Sequence, residues 1–479
     1  MKKYQVLIFI IIIFLILGVI AFLFPENGIK ITEDFQLYFA NYKKYFTAKE
    51  TNKLDSIRFD TLSIDDIAID SFDLEEVKKN LTPIEFPKKD TTILNAFFAK
   101  LNKISEIGKV RVLHYGDSQI EGDRITSLIR NKLQAKFGGN AIGLVSPITN
   151  YAQWSILQDA SDNWLKFLGF CDIDTVVKHR KYGPMINFCR FTPVNNDTVW
   201  KRPEKITSAY IHYSKSKLGY SNTSIFKKVS VYYGNSNESC GIVIKSGGET
   251  LAKDSLLAGK DFYVYTYMSD KYLSDITIEF QGYDSPDIYG ISLEDNYGIT
   301  VDNIGLRGCS GDIFANQDAN FLSKCFSHIS ADLFILQFGG NAIPNIKDKK
   351  GITNFCNYFK MHLRFLKQLN PNAAVIVIGP SDMSTKIKGE YVTYPLLEDF
   401  INEFKSACLA CNACYWDCFQ AMGGKNSMPY WVKAEPSLAA EDYTHFSPQG
   451  ALLISNQFYN ALILEYMKST NKNAKKKKI

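Results

Sequence analysis

Two short segments carry side chains that could perform covalent chemistry together. The first is Val110-Arg-Val-Leu-His-Tyr-Gly116-Asp117-Ser118-Gln119, an apolar run closing on a small, polar turn. The second is Glu441-Asp442-Tyr443-Thr444-His445-Phe446-Ser447-Pro448. A serine hydroxyl is a poor nucleophile until a base takes its proton, and a histidine needs a carboxylate to fix its tautomer. Asp442 and His445, three residues apart on one loop, supply both groups, and Ser118 would be the nucleophile of an acyl transfer. Each segment alone has a plainer reading. Gly-Asp-Ser also makes a turn with a helix-capping serine, and exposed loops are rich in Asp and His. The chain has only six histidines, however, and His445 directly precedes the last helix.

The elements that must hold these residues follow from the periodicity. Ile93, Phe97 and Leu101 suggest a helix, Val110 to Tyr115 a strand, and Ile125, Leu128, Ile129 and Leu133 one face of a helix from about 122 to 137, stopped by Gly138-Gly139. Near Trp164 the helical period vanishes. Short alternating segments replace it up to about Leu293, around Tyr210, Val231, Tyr265 and Ile278, divided by Gly, Asn, Ser and Asp clusters, as in a β-sandwich. From about Gly298 strands return at Leu333 to Phe338, Ala373 to Ile378 and Ala413 to Trp416, with helical runs between them. Ser447 caps the final helix and Pro448 fits its first position. Strands alternating with helices predict a mostly parallel sheet covered on both faces. Its strand ends are where ligands bind.

Four blocks now stand in order, each at the end of a strand or before a helix. They are Gly116-Asp117-Ser118, Gly308-Cys-Ser310-Gly311-Asp312, Phe338-Gly339-Gly340-Asn341 and Asp442-Tyr-Thr-His445. This set resembles the SGNH (GDSL-type) hydrolases, with Gln119 in place of the usual leucine. The resemblance implies a flavodoxin-like, three-layer α/β/α hydrolase with a parallel sheet. Ser118 would be its nucleophile, His445 its base and Asp442 its orienting acid. The oxyanion would be held by the Ser118 and Gly311 N–H groups and the Asn341 amide, with Gly308 the runner-up to Gly311. No metal or organic cofactor is required. A core split here by a carbohydrate-binding-like sandwich resembles membrane-anchored peptidoglycan O-acetylesterases, which implies an O-acetylated glycan as substrate. The same residues would also serve an acetyltransferase, a lipase or a thioesterase. A catalytically silent envelope glycan-binding protein is the reading from another class. Tyr210, Tyr213, Tyr232, Tyr233, Tyr263, Tyr265 and Tyr267 could stack on sugars, or simply pack the sheet.

The expected organisation is a transmembrane anchor (1–25), a linker (26–90), the first hydrolase part (91–165), the sandwich (166–295), the second hydrolase part (296–468) and a solvated basic tail (469–479). The run from Tyr4 to Phe24 carries no charge and matches the thickness of a bilayer. Lys2 and Lys3 before it predict a cytoplasmic N-terminus, with the catalytic part outside the cytoplasmic membrane. The net charge of +5 is owed to eight lysines at the two ends, so the folded part is near neutral and nucleic acid is not an expected partner. Cys408, Cys411, Cys414 and Cys418 have the spacing of a ferredoxin cluster, but they run from a helix into a strand. Core packing or a local disulfide accounts for them better.

Overall fold

The computed structural model describes residues 81–171, 173–194 and 199–476, together with two short strands near the N-terminus. The chain divides into two units, residues 1–77 and residues 78–479. Of the first, the described part is an antiparallel pair, Ile29–Lys30 with Gln36–Leu37.

The second unit is built on a six-stranded sheet: β1 (Ile84–Glu85), β2 (Lys109–Gly116), β3 (Gly298–Gly305), β4 (Leu333–Gln337), β5 (Ala374–Ile378) and β6 (Cys414–Trp416), in the order β3-β2-β4-β5-β6-β1. Nearly every residue of β2, β4, β5 and β6 is buried, as expected for strands covered on both faces. Helices α1 (Asn95–Asn102), α2 (Thr126–Phe137) and α6 (Pro448–Lys476) pack together on one side. Helices α3 (Ala319–Ile329), α4 (Lys349–Leu369) and α5 (Leu397–Ala410) cover the other. Alternation assigns the faces. Tyr115, Phe334, Val375 and Tyr415 join the core under α3, α4 and α5, whereas Trp416 meets Phe458 of α6.

Several expectations are corrected. The sheet is not wholly parallel, because β1 joins its edge antiparallel, with Glu85 opposite Tyr415. Residues 84–85 thus belong to the hydrolase sheet rather than to a linker ending at 90. No helix among the described residues is long and apolar enough to cross a membrane. The run from Tyr4 to Phe24 lies outside the described residues. Helix α2 starts at Thr126 and not at 122, because Gly122 and Asp123 both take φ +69 and break the turn. At the other end α6 continues to Lys476, through much of the expected tail, since no Gly or Pro follows Gly450. Cys408, Cys411, Cys414 and Cys418 are buried thiols of the core.

The insertion is a pair of antiparallel sheets enclosing their own apolar core, with Ile211, Val231, Ile242, Ile278 and Ile291 all fully buried. It begins earlier than 166. Strand Gly143–Val145 pairs with Asp287–Glu294, and Ile156–Ala160 pairs with Thr207–Lys215. Tyr213, Tyr232 and Tyr233 are buried, so these three pack the sheets, and Tyr210 is exposed.

A buried ionic cluster joins the insertion to the hydrolase sheet. The Arg111 guanidinium of β2 donates to both carboxylate oxygens of Asp302 on β3, at 2.6 and 2.9 Å, and to Glu294 of the insertion at 2.7 Å. Asp302 also accepts the Leu144 N–H of the first inserted strand at 2.6 Å. Replacing one partner strands an opposite charge away from water, at a cost of about 3–5 kcal/mol. Asp302→Ala is therefore expected to lower the unfolding free energy by that amount in denaturant titration. A loss under about 1 kcal/mol, the size of an exposed ion pair, would show that the cluster does not hold the two parts together.

Candidate active site

The parallel ladders carry three loops to one edge of the sheet. Gly116, the last residue of β2, lies opposite Gly305 of β3 on one side and Gln337 of β4 on the other. A side chain on Gly116 would meet the Gln337 carbonyl and Ile120 at 3.0 Å, so only glycine allows the neighbouring strand this close. The chain then turns sharply: the Asp117 N–H donates to Gln337 O at 3.2 Å, and the Asp117 carboxylate accepts the Gln119 N–H at 2.9 Å. Ser118 is left half-buried at the tip, and among the described residues no protein acceptor takes its backbone N–H.

The base arrives from the loop before α6. His445 Nε2 lies 2.7 Å from Ser118 Oγ, and His445 Nδ1 lies 2.7 Å from Asp442 Oδ2. With the proton on Nδ1, the ring donates to Asp442 and accepts from the serine hydroxyl. The Asp442 Oδ1 atom accepts the N–H groups of Thr444 and His445, both at 3.0 Å. Burial acts to raise the Asp442 pKa, but these bonds and the His445 side chain outweigh it and hold the carboxyl below its ordinary value. The carboxylate is thus charged whenever the imidazole needs it. The Asp442 and His445 side chains keep 51% and 33% of their exposure, so water reaches the pair.

The two glycines of the second block, Gly311 and Gly308, sit in different surroundings. Gly311 has φ +99 and its N–H donates to the buried Cys309 Sγ at 3.3 Å, while its α-carbon faces Phe338 and Phe359. Neither it nor Gly308 is among the residues that line the cleft. Gly308 is exposed, with φ +79 and open space around it. Among the described residues, no protein acceptor takes its N–H. Its turn is pinned by Leu306 N–H to Gly116 O at 2.7 Å, and by the Arg307 guanidinium on the buried Glu121 carboxylate, Nε–Oε2 2.7 Å. The Asn341 side chain lines the cleft and donates one N–H to Cys309 O at 3.0 Å, which leaves the second amide hydrogen for a ligand.

Around these groups lies a cleft of about 160 Å³, walled by Phe338, Pro344, Pro380, Ser381, Met383 and Tyr394. The loop after β5 that supplies Pro380, Ser381 and Met383 was not anticipated from the sequence. Its one available signal is the Gly379-Pro380 break at a strand end. Buried Asp382 locks that loop by accepting from Thr393 Oγ1 at 2.7 Å and Met428 N–H at 2.8 Å. Gln119, which stands where the resembled family has leucine, reaches across to the histidine loop.

No protein-family model matches the chain, and no curated protein does either. Solved structures do. A structure titled "Peptidoglycan O-acetylesterase in action, 5 min" is 20% identical, with 78% of this chain and 96% of that chain covered and a TM-score of 0.60. The chain has the fold of that esterase. Lower TM-scores, 0.24 and 0.25, relate it to a family two carbohydrate esterase from Clostridium thermocellum in complex with cellohexaose and to a Corynascus thermopiles family 2 enzyme with a carbohydrate binding domain. These are 9% and 10% identical, each over 53% of this chain and over 90% and 93% of theirs. At 20% identity the likeness to the O-acetylesterase is one of fold.

Asp117, one residue before the serine, is buried, and burial pushes its pKa up to about 6 against the opposing Gln119 N–H and His445 charge. A raised value means that the folded state keeps a proton the unfolded chain releases near 3.8. Stability linked to that proton is complete below the unfolded value and is lost as pH rises through about 6. Asp117→Asn, which keeps the acceptor and removes the charge, is expected to flatten the decline in melting temperature between about pH 4 and 7. Parallel pH profiles for the variant and the wild type would exclude Asp117 as a buried titrating group.

Proposed function

We propose that the chain is a serine esterase that removes O-acetyl groups from a carbohydrate, and that the carbohydrate is peptidoglycan. The reading rests above all on the Ser118–His445–Asp442 relay, two 2.7 Å bonds in series opening on a cleft. Ser118 Oγ attacks the acetyl carbonyl as its proton passes to His445 Nε2, and the imidazolium is stabilised by Asp442. The tetrahedral oxyanion receives hydrogen bonds from the Ser118 N–H and the second Asn341 amide hydrogen, with Gly311 or Gly308 of the second block as the further donor. Collapse expels the sugar oxygen, which takes the proton from His445 and leaves an acetyl-serine. Water, deprotonated by the same imidazole, then attacks the acetyl carbonyl and releases acetate and free Ser118.

Two features support the substrate class. A cleft of about 160 Å³ suits an acetyl group and the edge of a sugar, whereas drug-sized ligands occupy sites of about 300–1,000 Å³. This disfavours a lipase. The partial exposure of His445 favours water as the acceptor, and so hydrolysis over transfer to a second sugar. The choice of peptidoglycan follows the fold likeness to the O-acetylesterase. On this reading the substrate lies outside the cytoplasmic membrane.

Acetate release from a small aryl acetate tests the reaction. Ser118→Ala is expected to abolish it, and Asn341→Ala to lower kcat by about 10²–10³. Activity in Ser118→Ala equal to wild type would refute the reading. Release from O-acetylated peptidoglycan, compared with acetylated xylan, then decides the sugar. A preference for xylan would overturn the peptidoglycan assignment alone.

A further inference from the structure

The loop that carries His445 is well organised within itself. Ala439 and Phe446 form an antiparallel bridge, Ala440 N–H donates to His445 O at 2.8 Å, and Asp442 takes the two N–H groups ahead of it. These bonds fix how the imidazole is turned. They do not fix how far it stands from Ser118, because none of them reaches the nucleophile turn. Outward anchors on the loop's far side come from other elements. Tyr443 stacks on Tyr391 with ring centres 3.6 Å apart, its carbonyl accepts the Ser384 N–H at 3.0 Å, and Phe446 packs on Trp431.

On the serine side the anchor is Gln119. Its Nε2 donates to Thr444 O at 2.7 Å and its Oε1 accepts the Phe446 N–H at 3.3 Å, so one side chain holds the backbone on both sides of His445. Its own N–H is held by Asp117, which leaves Gln119 and Ser118 on the same rigid turn. A third, longer contact at 3.5 Å joins it to Ser381 on the loop after β5. The amide orientation is dictated by its partners, since a carbonyl demands the NH₂ and an N–H demands the oxygen. Leucine could make neither bond, and an ionised glutamate would set a carboxylate oxygen against Thr444 O.

We infer that Gln119 is the positioning residue that sets the Ser118–His445 distance, clamping the base loop to the nucleophile turn. The inference rests on the proposed esterase reaction. A displacement of the base by about 1 Å can cost about 10²-fold in rate, so the clamp acts chiefly on kcat, although Gln119 also lines the cleft.

The test uses the full chain and the aryl acetate, with Ser118→Ala as the reference. Gln119→Met keeps the length and removes both bonds. It is expected to lower kcat by about 10- to 100-fold, with KM and melting temperature close to wild type. Gln119→Glu adds a readout that a merely structural role would not move. Protonated, the introduced carboxyl can donate to Thr444 O and accept from Phe446 N–H. Ionised, it loses the first bond. Its kcat relative to wild type should therefore fall on the alkaline side in a limb absent from Gln119→Met. Wild-type kcat in Gln119→Met beside an inactive Ser118→Ala would overturn the clamp and leave the esterase reading intact. A lowered melting temperature with unchanged kcat, or a Gln119→Glu profile parallel to wild type, would overturn it as well. An active Ser118→Ala would instead remove the reaction on which the inference rests.

Discussion

The site depends on the hydrogen-bond register of one buried strand. β2 is paired on both sides, and its last residue, Gly116, stands level with Gly305 and Gln337. The loops that follow Gly116 and Gln337 carry Ser118 and Asn341, which line one cleft. They converge because the ladders end together. A slip of one residue would turn Leu113 and Tyr115 from one apolar layer to the other, so the hydrophobic core enforces the register that the chemistry needs. Little flexibility is left to the nucleophile turn. Its glycine touches the next strand, its aspartate is almost wholly buried, and its serine stands at the cleft between Asp117 and Gln119.

The base is positioned by other means. The Asp442–His445 loop belongs to no strand and rests on a hairpin, on Trp431 and on the turn after β2. Its internal bonds resemble those of a preformed cassette, which explains why Asp442 and His445 can be close in sequence and still be oriented well. The sheet fixes the electrophile-facing groups, and contacts between loops bring the proton acceptor to them. A site divided this way can tolerate change in its walls more readily than in the ends of its strands.

What could be read from the sequence follows the range of the interactions. The three-residue spacing of Asp442 and His445 is local, and so is the strand-to-turn passage at Gly116-Asp117-Ser118, so both were legible. The different surroundings of Gly308 and Gly311 were not. Both have positive φ, and their difference lies in Cys309 turning one amide inward while Arg307 and Glu121 hold the other at the surface. The start of the insertion was hidden because Gly143–Val145 is only three residues long and its partner lies far along the chain. The antiparallel edge at Ile84–Glu85 is shorter still. Gln119 was undervalued because its partners are backbone groups more than three hundred residues away, which leave no mark in composition or periodicity.

The pairing of Gly143–Val145 with Asp287–Glu294 bears on how such a chain can fold at all. β2 and β3 are neighbours separated by an entire second architecture, and closing so long a loop directly would be slow and entropically costly. Because the insertion begins and ends on adjacent strands, its own collapse brings Gly143 beside Leu293. The chain that emerges is, for the purposes of diffusion, much shorter than its residue count. The sandwich thus serves assembly whether or not it ever touches a sugar. The histidine lies 327 residues beyond the serine. A nascent chain therefore carries Ser118 without its base until the loop before α6 has been made.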